Sequence, residues 1–287
     1  MTVRLVIVLC LCSLTGLAVA ADNDSRQLLA SGLEAIQRGK RDEGEKLLRQ
    51  ALEFDPRLVD ARKHLGLLLL ATGRRDEAAQ QLSLSLALDP RSAELRQFLG
   101  DSLARMGYVA DCEQLLRDAI RLDPRHLPAY RSLAEVQIAL NRKSEATKTI
   151  QALTLIDPYN PDNHHSYGFM LREAGDLKGA EAAFREAIRL RDNSPQTYYC
   201  LGLLLANRGA NEEAERTYQK AIKWDEKMAE AYNNLGVLYL GTGRRPQAVE
   251  YLSRARTLFA DRQDTNQVAR LNSVLLQLEE HRPLKPD

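Results

Sequence analysis

The chain has 287 residues, of which 44% are hydrophobic and 28% are charged. This balance excludes an intrinsically disordered protein and is ordinary for a folded one. The formal net charge is only +1 at pH 7, which argues against a broad nucleic-acid or anionic-membrane surface. One Trp and five Phe stand beside a large supply of Leu and Ala, so the composition favours helices packed through aliphatic side chains.

The first twenty residues have the pattern of an export signal. Arg4 supplies a positive charge, residues 5–12 form an unbroken apolar run, and Ala18-Val19-Ala20 is a small-x-small cleavage site. The sequence therefore predicts a signal peptide at 1–20, a mature chain that starts at Ala21, and a periplasmic or secreted protein. An uncleaved membrane anchor is the alternative, but the apolar stretch falls short of the roughly 20 residues that a spanning helix needs.

Beyond this segment, the chain repeats with a period of 34 residues. An Asp-Pro pair recurs at this spacing, at residues 55, 89, 123 and 157. A second series contains Gly39, Gly73, Gly107, Asn141, Gly175, Gly209 and Gly243. Gly and Asn accept the left-handed conformation that ends a helix, and Pro cannot continue one. Each unit is therefore predicted to be a helix, a turn, a second helix and an Asp-Pro stop.

Small residues recur at one point of each predicted helix. The first helices have Gly32, Gly66, Gly100, Ala134, Gly168, Gly202 and Gly236. The second helices have Gly44, Ala78, Cys112, Ala146, Ala180, Ala214 and Ala248, each followed one turn later by Leu48, Leu82, Leu116, Ile150, Phe184, Tyr218 and Leu252. Gly inside a helix costs about 1 kcal/mol relative to Ala. Its repeated use predicts a close helix contact that a larger side chain would block.

This pattern resembles the tetratricopeptide repeat family, whose signature is aromatic-x2-Leu-Gly-x2-aromatic, then Ala-x3-aromatic and then Pro. A clear copy contains Tyr232, Leu235, Gly236, Tyr239 and Ala248. The resemblance implies an all-α, right-handed superhelical solenoid over 21–262. Its seven repeats would span 25–58, 59–92, 93–126, 127–160, 161–194, 195–228 and 229–262.

The fourth repeat departs most from this pattern. Ala134, Gln137, Asn141 and Leu153 stand at positions that are usually Gly, apolar, Gly and small. We therefore expect this repeat to form the least regular joint of the solenoid.

One more helix is predicted after the repeats, from Thr265 to His281. Its apolar residues fall on one stripe, which contains Val268, Leu271, Val274, Leu275 and Leu278. A solenoid needs an atypical element to cover its last open face. Residues 263–287 are therefore interpreted as a capping helix and tail.

Features that could suggest chemistry have simpler explanations. His164 and His165 are adjacent, and adjacent helical residues diverge by about 100°, so they do not easily share one metal ion. Cys112 and Cys200 lie too far apart in the repeats for the roughly 6 Å Cα separation of a disulfide, and we expect them to stay unpaired. Trp224 is in phase with apolar residues of other repeats and is predicted to be core. With no recognisable catalytic or metal motif, we expect no enzymatic activity, no metal and no cofactor.

In tetratricopeptide proteins the first helix of each repeat lines a concave groove, and the resemblance implies that positions 2, 5, 6 and 9 of each unit face it. The candidate partner-binding residues are Lys63, His64, Gln97, Phe98, Asp101, Arg131, Glu135, His165, Phe169, Tyr199, Asn233 and Asn234, with Ser132, Ser166 and Cys200 beside them. Aromatic and polar side chains of this kind can hold an extended peptide or a partner helix.

The implied function is a protein-interaction scaffold or adaptor in the cell envelope. The alternative is a regulatory or substrate-presenting, non-catalytic subunit of an envelope enzyme or secretion complex. We expect a protein or peptide partner, no nucleic acid, and no membrane insertion once the signal is cleaved. The oligomeric state stays open.

Overall fold

The computed structural model describes residues 23–280 of the chain. Within this range the backbone forms fifteen α-helices and no β-strand. The predicted signal peptide and its cleavage site lie outside the described residues. No helix between residues 23 and 280 combines the length and the apolar character that crossing a membrane requires.

The helices follow the frame of the 34-residue repeat. In chain order they are α1 (23–37), α2 (Arg41–Phe54), α3 (Val59–Ala71), α4 (Arg75–Leu88), α5 (Ala93–Met106), α6 (Val109–Leu122), α7 (Leu127–Ala139), α8 (Lys143–Ile156), α9 (Pro161–Glu173), α10 (Leu177–Leu190), α11 (Pro195–Asn207), α12 (Asn211–Trp224), α13 (Ala229–Gly241), α14 (Arg245–Asp261) and α15 (Thr265–Glu280). The prediction of an all-α tetratricopeptide-type fold is confirmed.

The chain divides into two compact units between Arg142 and Lys143. The N-terminal unit contains α1–α7 and the C-terminal unit contains α8–α15. The division falls between the two helices of the fourth repeat, which is also the repeat whose sequence departs most from the pattern.

In the N-terminal unit, neighbouring helices form hairpins that stack on one another. Helix α1 packs on α2, α3 on α4, and α5 on α6. The hairpins join through the pairs α2 and α3, α4 and α5, and α6 and α7. The first helices α3, α5 and α7 also touch in sequence, since α3 contacts α5 and α5 contacts α7. One face of the unit is therefore built from first helices alone.

The C-terminal unit repeats this arrangement. The hairpins are α9 with α10, α11 with α12, and α13 with α14, and α11 also contacts α13. Helix α15 packs on α14, with Leu271 and Leu275 buried against Leu258 and Phe259. The prediction of an amphipathic helix that covers the end of the last repeat is confirmed.

The turn within each hairpin has the predicted left-handed residue. The six glycines of the series, at 39, 73, 107, 175, 209 and 243, have φ between 75° and 87°. Asn141, the exception in the series, has φ 58°. A side chain with a Cβ rarely adopts this conformation, so the fold explains why only Gly and Asn occur here.

The helix contact inferred from the small residues is also confirmed. A Cβ added at Gly202 would lie 2.7 Å from Cε1 of Tyr218, and one added at Gly236 would lie 2.7 Å from Cγ of Leu252. The small and large positions of the second helices are buried throughout the series. Where this position is Gly, the first helix therefore has no side chain at the point where the large residue of the second helix enters.

The Asp of the Asp-Pro stop has a role of its own. The carboxylate of Asp55 accepts a hydrogen bond from the backbone N–H of Arg57 at 2.9 Å. Asp225, which no Pro follows, accepts the same bond from the N–H of Lys227 at 2.9 Å. The carboxylate thus supports the turn by itself, which explains how the sixth repeat ends without Pro.

The prediction that Trp224 belongs to the core is wrong. Its side chain is 45% exposed at the last residue of α12, and the ammonium of Lys223 lies 5.6 Å from a ring centroid. Phe54 and Leu122, at the same position of other repeats, are exposed too. Leu258 is buried at this position because α14 continues past it and α15 covers it.

Candidate functional site

The first-helix face of the N-terminal unit contains seven of the predicted groove residues. Lys63 and His64 lie on α3, Gln97, Phe98 and Asp101 on α5, and Arg131 and Glu135 on α7. Arg131 and Glu135 are exposed, whereas Lys63, His64, Phe98 and Asp101 are half-buried. The structure therefore brings six of these residues to the accessible face of three contacting helices.

Lys63 joins two of these helices. Its ammonium lies 3.1 Å from a carboxylate oxygen of Asp60 on α3 and 3.3 Å from one of Glu94 on α5. Burial alone would lower the pKa of Lys63, but the hydrogen bond that Lys63 donates to Asp60 and the negative charge of Glu94 outweigh burial and raise the pKa. Lys63 is thus a cation held between two repeats.

Asp101 is a partly buried acid on the same face. It accepts hydrogen bonds from Ser132 on α7 and Gln97 on α5. Burial raises the pKa of Asp101, and these hydrogen bonds and the charge of Arg105 only partly offset it. Gln97 was expected on the surface, but its side chain is 6% exposed and it serves to orient Asp101.

The first-helix face of the C-terminal unit contains the other five predicted residues. They are His165 and Phe169 on α9, Tyr199 on α11, and Asn233 and Asn234 on α13. His165 Nδ1 lies 3.0 Å from Oγ1 of Thr197, and the amide of Asn234 donates to the Tyr199 hydroxyl at 3.2 Å. These two bonds link α9 to α11 and α11 to α13, so side-chain hydrogen bonds connect the first helices of three successive repeats.

A depression of about 330 Å³ lies between α11 and α13, and Asn234 forms part of its lining. Leu203, Val237 and Leu238 supply apolar surface, and Asn207 and Asn234 supply amides. The side chain of Val237 is 54% exposed. The depression therefore combines an open apolar side chain with groups that can donate and accept hydrogen bonds.

Leu203, Asn207 and Val237 were missed among the predicted site residues. Leu203 and Val237 lie 34 and 68 residues after Phe169, at the same position of the following repeats. The repeat frame was therefore a sufficient signal for both. Cys200 was expected on the face but is buried in the core of the unit.

The adjacent histidines do not converge. His164 Nε2 lies 2.8 Å from the carbonyl oxygen of Pro158, whereas His165 lies against Thr197 and its ring centroid is 5.6 Å from that of Phe184. In the described residues no group of three or more His, Cys, Asp or Glu side chains is arranged to hold a metal ion. Cys112 and Cys200 are both free and buried.

Comparisons with known proteins agree with this architecture. Tetratricopeptide repeat models match residues 35–102, 103–165 and 229–260, and a TPR repeat model matches 204–243. A comparison with curated proteins gives no significant match.

Three solved structures illustrate the similarity of the fold. A tetratricopeptide repeat protein from Parabacteroides merdae is 15% identical, covers 87% of this chain and 98% of its own, and has a TM-score of 0.60. The Pseudomonas aeruginosa protein pilF is 18% identical over 74% of this chain and 96% of its own, with a TM-score of 0.63. YrrB, described as a TPR protein with an unusual peptide-binding site, is 20% identical over 68% and 99%, with a TM-score of 0.57. Repeat frame, helical architecture and family models together show that this chain belongs to the tetratricopeptide repeat family.

Proposed function

We propose that this protein is a non-catalytic interaction scaffold or adaptor of the cell envelope. It binds a peptide segment or a partner protein on the first-helix faces of its units. Tetratricopeptide repeat proteins are generally protein-interaction scaffolds, which supports the general role. The site itself is argued from the side chains of this chain.

The observation that carries the proposal is the depression between α11 and α13. An extended peptide presents alternating backbone donors and acceptors, which the amides of Asn207 and Asn234 can match. A peptide side chain placed over Val237 would bury its exposed surface. Full burial of such a side chain is worth about 1.5–3 kcal/mol. The depression can therefore contribute both affinity and orientation.

The N-terminal unit offers a face of a different character. Arg131 and Glu135 are exposed on α7, next to half-buried Phe98 and Asp101 on α5. Because charges dominate here and apolar groups dominate around Val237, the two faces would select different partner sequences.

The proposed envelope location rests on residues 1–20. Removal of this segment would leave Ala21 as the first residue of the mature protein. N-terminal sequencing of the protein isolated from the native cells, after separation of periplasm, membranes and cytoplasm, tests this directly. An intact Met1 in the cytoplasmic fraction would contradict the proposed location and leave the binding proposal standing.

The binding proposal can be tested on the purified mature chain. A display library of random peptides of roughly twelve residues is selected on it, and enriched peptides are synthesised with a fluorescent label. Their dissociation constants are measured by anisotropy for the unmodified chain, for Val237→Glu and for Leu276→Glu. Leu276 is an equally exposed apolar residue on α15, at 56%.

We expect Val237→Glu to weaken the affinity for peptides that bind this face by about tenfold or more, which is about 1.4 kcal/mol. Leu276→Glu should leave their dissociation constants unchanged. Peptides that bind all three chains equally would place binding elsewhere and contradict the proposed site.

A further inference from the structure

A second cleft lies on the second-helix side of the C-terminal unit. It occupies about 430 Å³ between α10 and α12. Ile188, Tyr198 and Leu201 form an apolar floor. Four cationic side chains stand on the walls: Arg185, Arg189, Arg216 and Lys220. The cleft is separate from the first-helix face because its walls come from second helices.

Two of the four cations are paired within the protein. The Arg185 guanidinium lies 2.9 Å from a carboxylate oxygen of Glu181 and 2.6 Å from one of Glu213. The Arg189 guanidinium lies 2.7 Å from Glu186. These two arginines are therefore largely neutralised by their own neighbours.

The other two cations have no such partner. Across residues 23–280, neither Arg216 nor Lys220 takes part in an ion pair. The Lys220 ammonium instead lies over the Tyr198 ring, 5.2 Å from its centroid. Both side chains are exposed on α12. Their spacing of four residues places them on one side of the helix, where one ligand can contact both.

The fold does not require cations at these positions. Thirty-four residues earlier, the equivalent positions hold Gln151, Leu155, Ala182 and Glu186. Thirty-four residues later, they hold Gln219, Lys223, Glu250 and Arg254. The same helix packing is thus made with uncharged, acidic or mixed side chains. The four cations belong to this cleft and are not a property of the repeat.

We propose that this cleft binds an acidic segment of a partner protein that also carries an apolar side chain. Carboxylates of the segment pair with Arg216 and Lys220, and its apolar side chain lies over the half-buried Ile188 on the floor. Charge complementarity favours carboxylates, because they would give Arg216 and Lys220 the ion-pair partners that the described residues do not supply. This proposal does not depend on binding at the first-helix face.

A protein segment fits this cleft better than a nucleic acid does. Glu213 lines the cleft, and Glu181 and Glu186 stand beside the paired arginines. A phosphate backbone needs a continuous basic stripe and would meet these carboxylates at close range. A peptide can place a few carboxylates next to the free cations and turn apolar groups toward the floor.

The test uses the full mature chain and a defined probe. The probe is fluorescein-labelled Glu-Asp-Leu-Phe-Asp-Glu, and its matched control is Gln-Asn-Leu-Phe-Asn-Gln. Anisotropy titrations compare the unmodified chain with the double variant Arg216→Glu with Lys220→Glu. The control double variant is Lys148→Glu with Arg254→Glu, which makes the same charge change at exposed residues of α8 and α14.

We expect the acidic probe to bind the unmodified chain and the control variant alike, and to lose at least about tenfold in affinity on the cleft variant. The amide probe should bind more weakly than the acidic probe by a similar factor. Val237→Glu should leave this binding unchanged, which separates it from the first-helix face. Thermal melts check that both double variants fold, and Arg216→Gln with Lys220→Gln replaces the cleft variant if it does not.

Four results would overturn the proposal. One is an equal loss of affinity for the acidic probe in the two double variants, since it would show a general charge effect. The second is equal affinity of the acidic and amide probes, and the third is no binding of either probe. The fourth is tighter binding of a single-stranded RNA oligonucleotide that the cleft variant abolishes, which would assign the cleft to nucleic acid.

Discussion

At the scale of a single residue, Gly202 shows how the close helix contact is made. The Tyr218 ring occupies the space where a side chain on α11 would begin. We expect Gly202→Leu to destabilise the C-terminal unit by roughly 1–3 kcal/mol, because the ring and the new side chain cannot both keep their positions. Urea unfolding followed by far-UV circular dichroism measures the change.

Gly241 provides the matched control for this substitution. It is the last residue of α13, and a Cβ added there would meet no atom within 4 Å. Gly241→Leu should therefore change the free energy of unfolding by less than about 0.5 kcal/mol. Equal effects of the two substitutions would mean that the contact with Tyr218 is not the reason for Gly at position 202, and would contradict this prediction.

Asp101 gives the stability of the N-terminal unit a dependence on pH. Because burial raises its pKa above the ordinary value of 3.8, the folded protein binds this proton more tightly than the unfolded chain does. The unfolded chain ionises first as pH rises, so stability falls through the window from 3.8 up to the folded pKa. At neutral pH the ionised Asp101 therefore reduces stability relative to its protonated form.

In the Asp101→Asn variant the side chain cannot ionise, and its amide oxygen can still accept a hydrogen bond from Gln97. We expect the stability of this variant, relative to the unmodified chain, to increase as pH rises from about 3 to 7. Urea titrations at several pH values measure the difference. Asp111→Asn, at an exposed aspartate of α6, controls for the lost charge. If the relative stability of the variant instead decreases as pH rises, folding lowers the pKa of Asp101 and the prediction is wrong.

At the scale of the helix, ion pairs connect one repeat with the next. Glu45 lies 2.9 Å from Arg74, and Glu215 lies 2.7 Å from Arg244. Both pairs are 29 residues apart in sequence, and each joins a second helix to the turn of the following hairpin. The arginines are exposed and the carboxylates are half-buried. Pairs near the surface are worth about 1 kcal/mol or less, so they orient neighbouring hairpins more than they stabilise them.

Helix α15 should be the element whose loss affects the last repeat most. Leu275 is 5% exposed against α14, whereas the adjacent Leu276 is 56% exposed. We expect Leu275→Ala to cost about 2–5 kcal/mol through lost burial and a residual cavity. Leu276→Ala should cost less than about 0.5 kcal/mol. Chemical denaturation of the two variants measures both, and similar values would contradict the capping role.

At the scale of the whole molecule, most contacts within each described unit join helices that are adjacent in the chain, and the others join first helices or second helices two apart. Stability in such an array is approximately a sum of repeat and neighbour terms. The two compact units meet in sequence inside the fourth repeat. A substitution in one repeat should therefore destabilise mainly that repeat and its immediate neighbours.

Hydrogen exchange measured by mass spectrometry tests this locality. We expect Gly202→Leu to speed exchange in α11, α12 and adjacent helices and to leave α3 and α4 unchanged. Gly66→Leu should do the reverse, since a Cβ there would lie 2.8 Å from Cγ of Leu82. Uniform acceleration in every helix with either variant would show that the chain unfolds as one cooperative body.

The sequence by itself determined the helices, their turns and the points of closest packing. These are local or periodic properties: a left-handed turn at Asn141, a Gly facing Tyr218, and the apolar stripe of α15 can each be read from residue type and spacing. The first-helix face was implied by the resemblance to the tetratricopeptide repeat family. The repeat frame then places Leu203 and Val237 at the same position as Phe169.

Only the tertiary structure decided which periodic positions are covered. Trp224 and Leu258 share one position, yet the first is exposed and the second is buried because α15 covers it. Gln97 is enclosed, and within residues 23–280 Arg216 and Lys220 have no ion-pair partner on the wall of their cleft. Burial and pairing depend on side chains that are distant in sequence. A repeat pattern predicts the direction in which a side chain leaves its helix, but it does not predict which residues that side chain contacts.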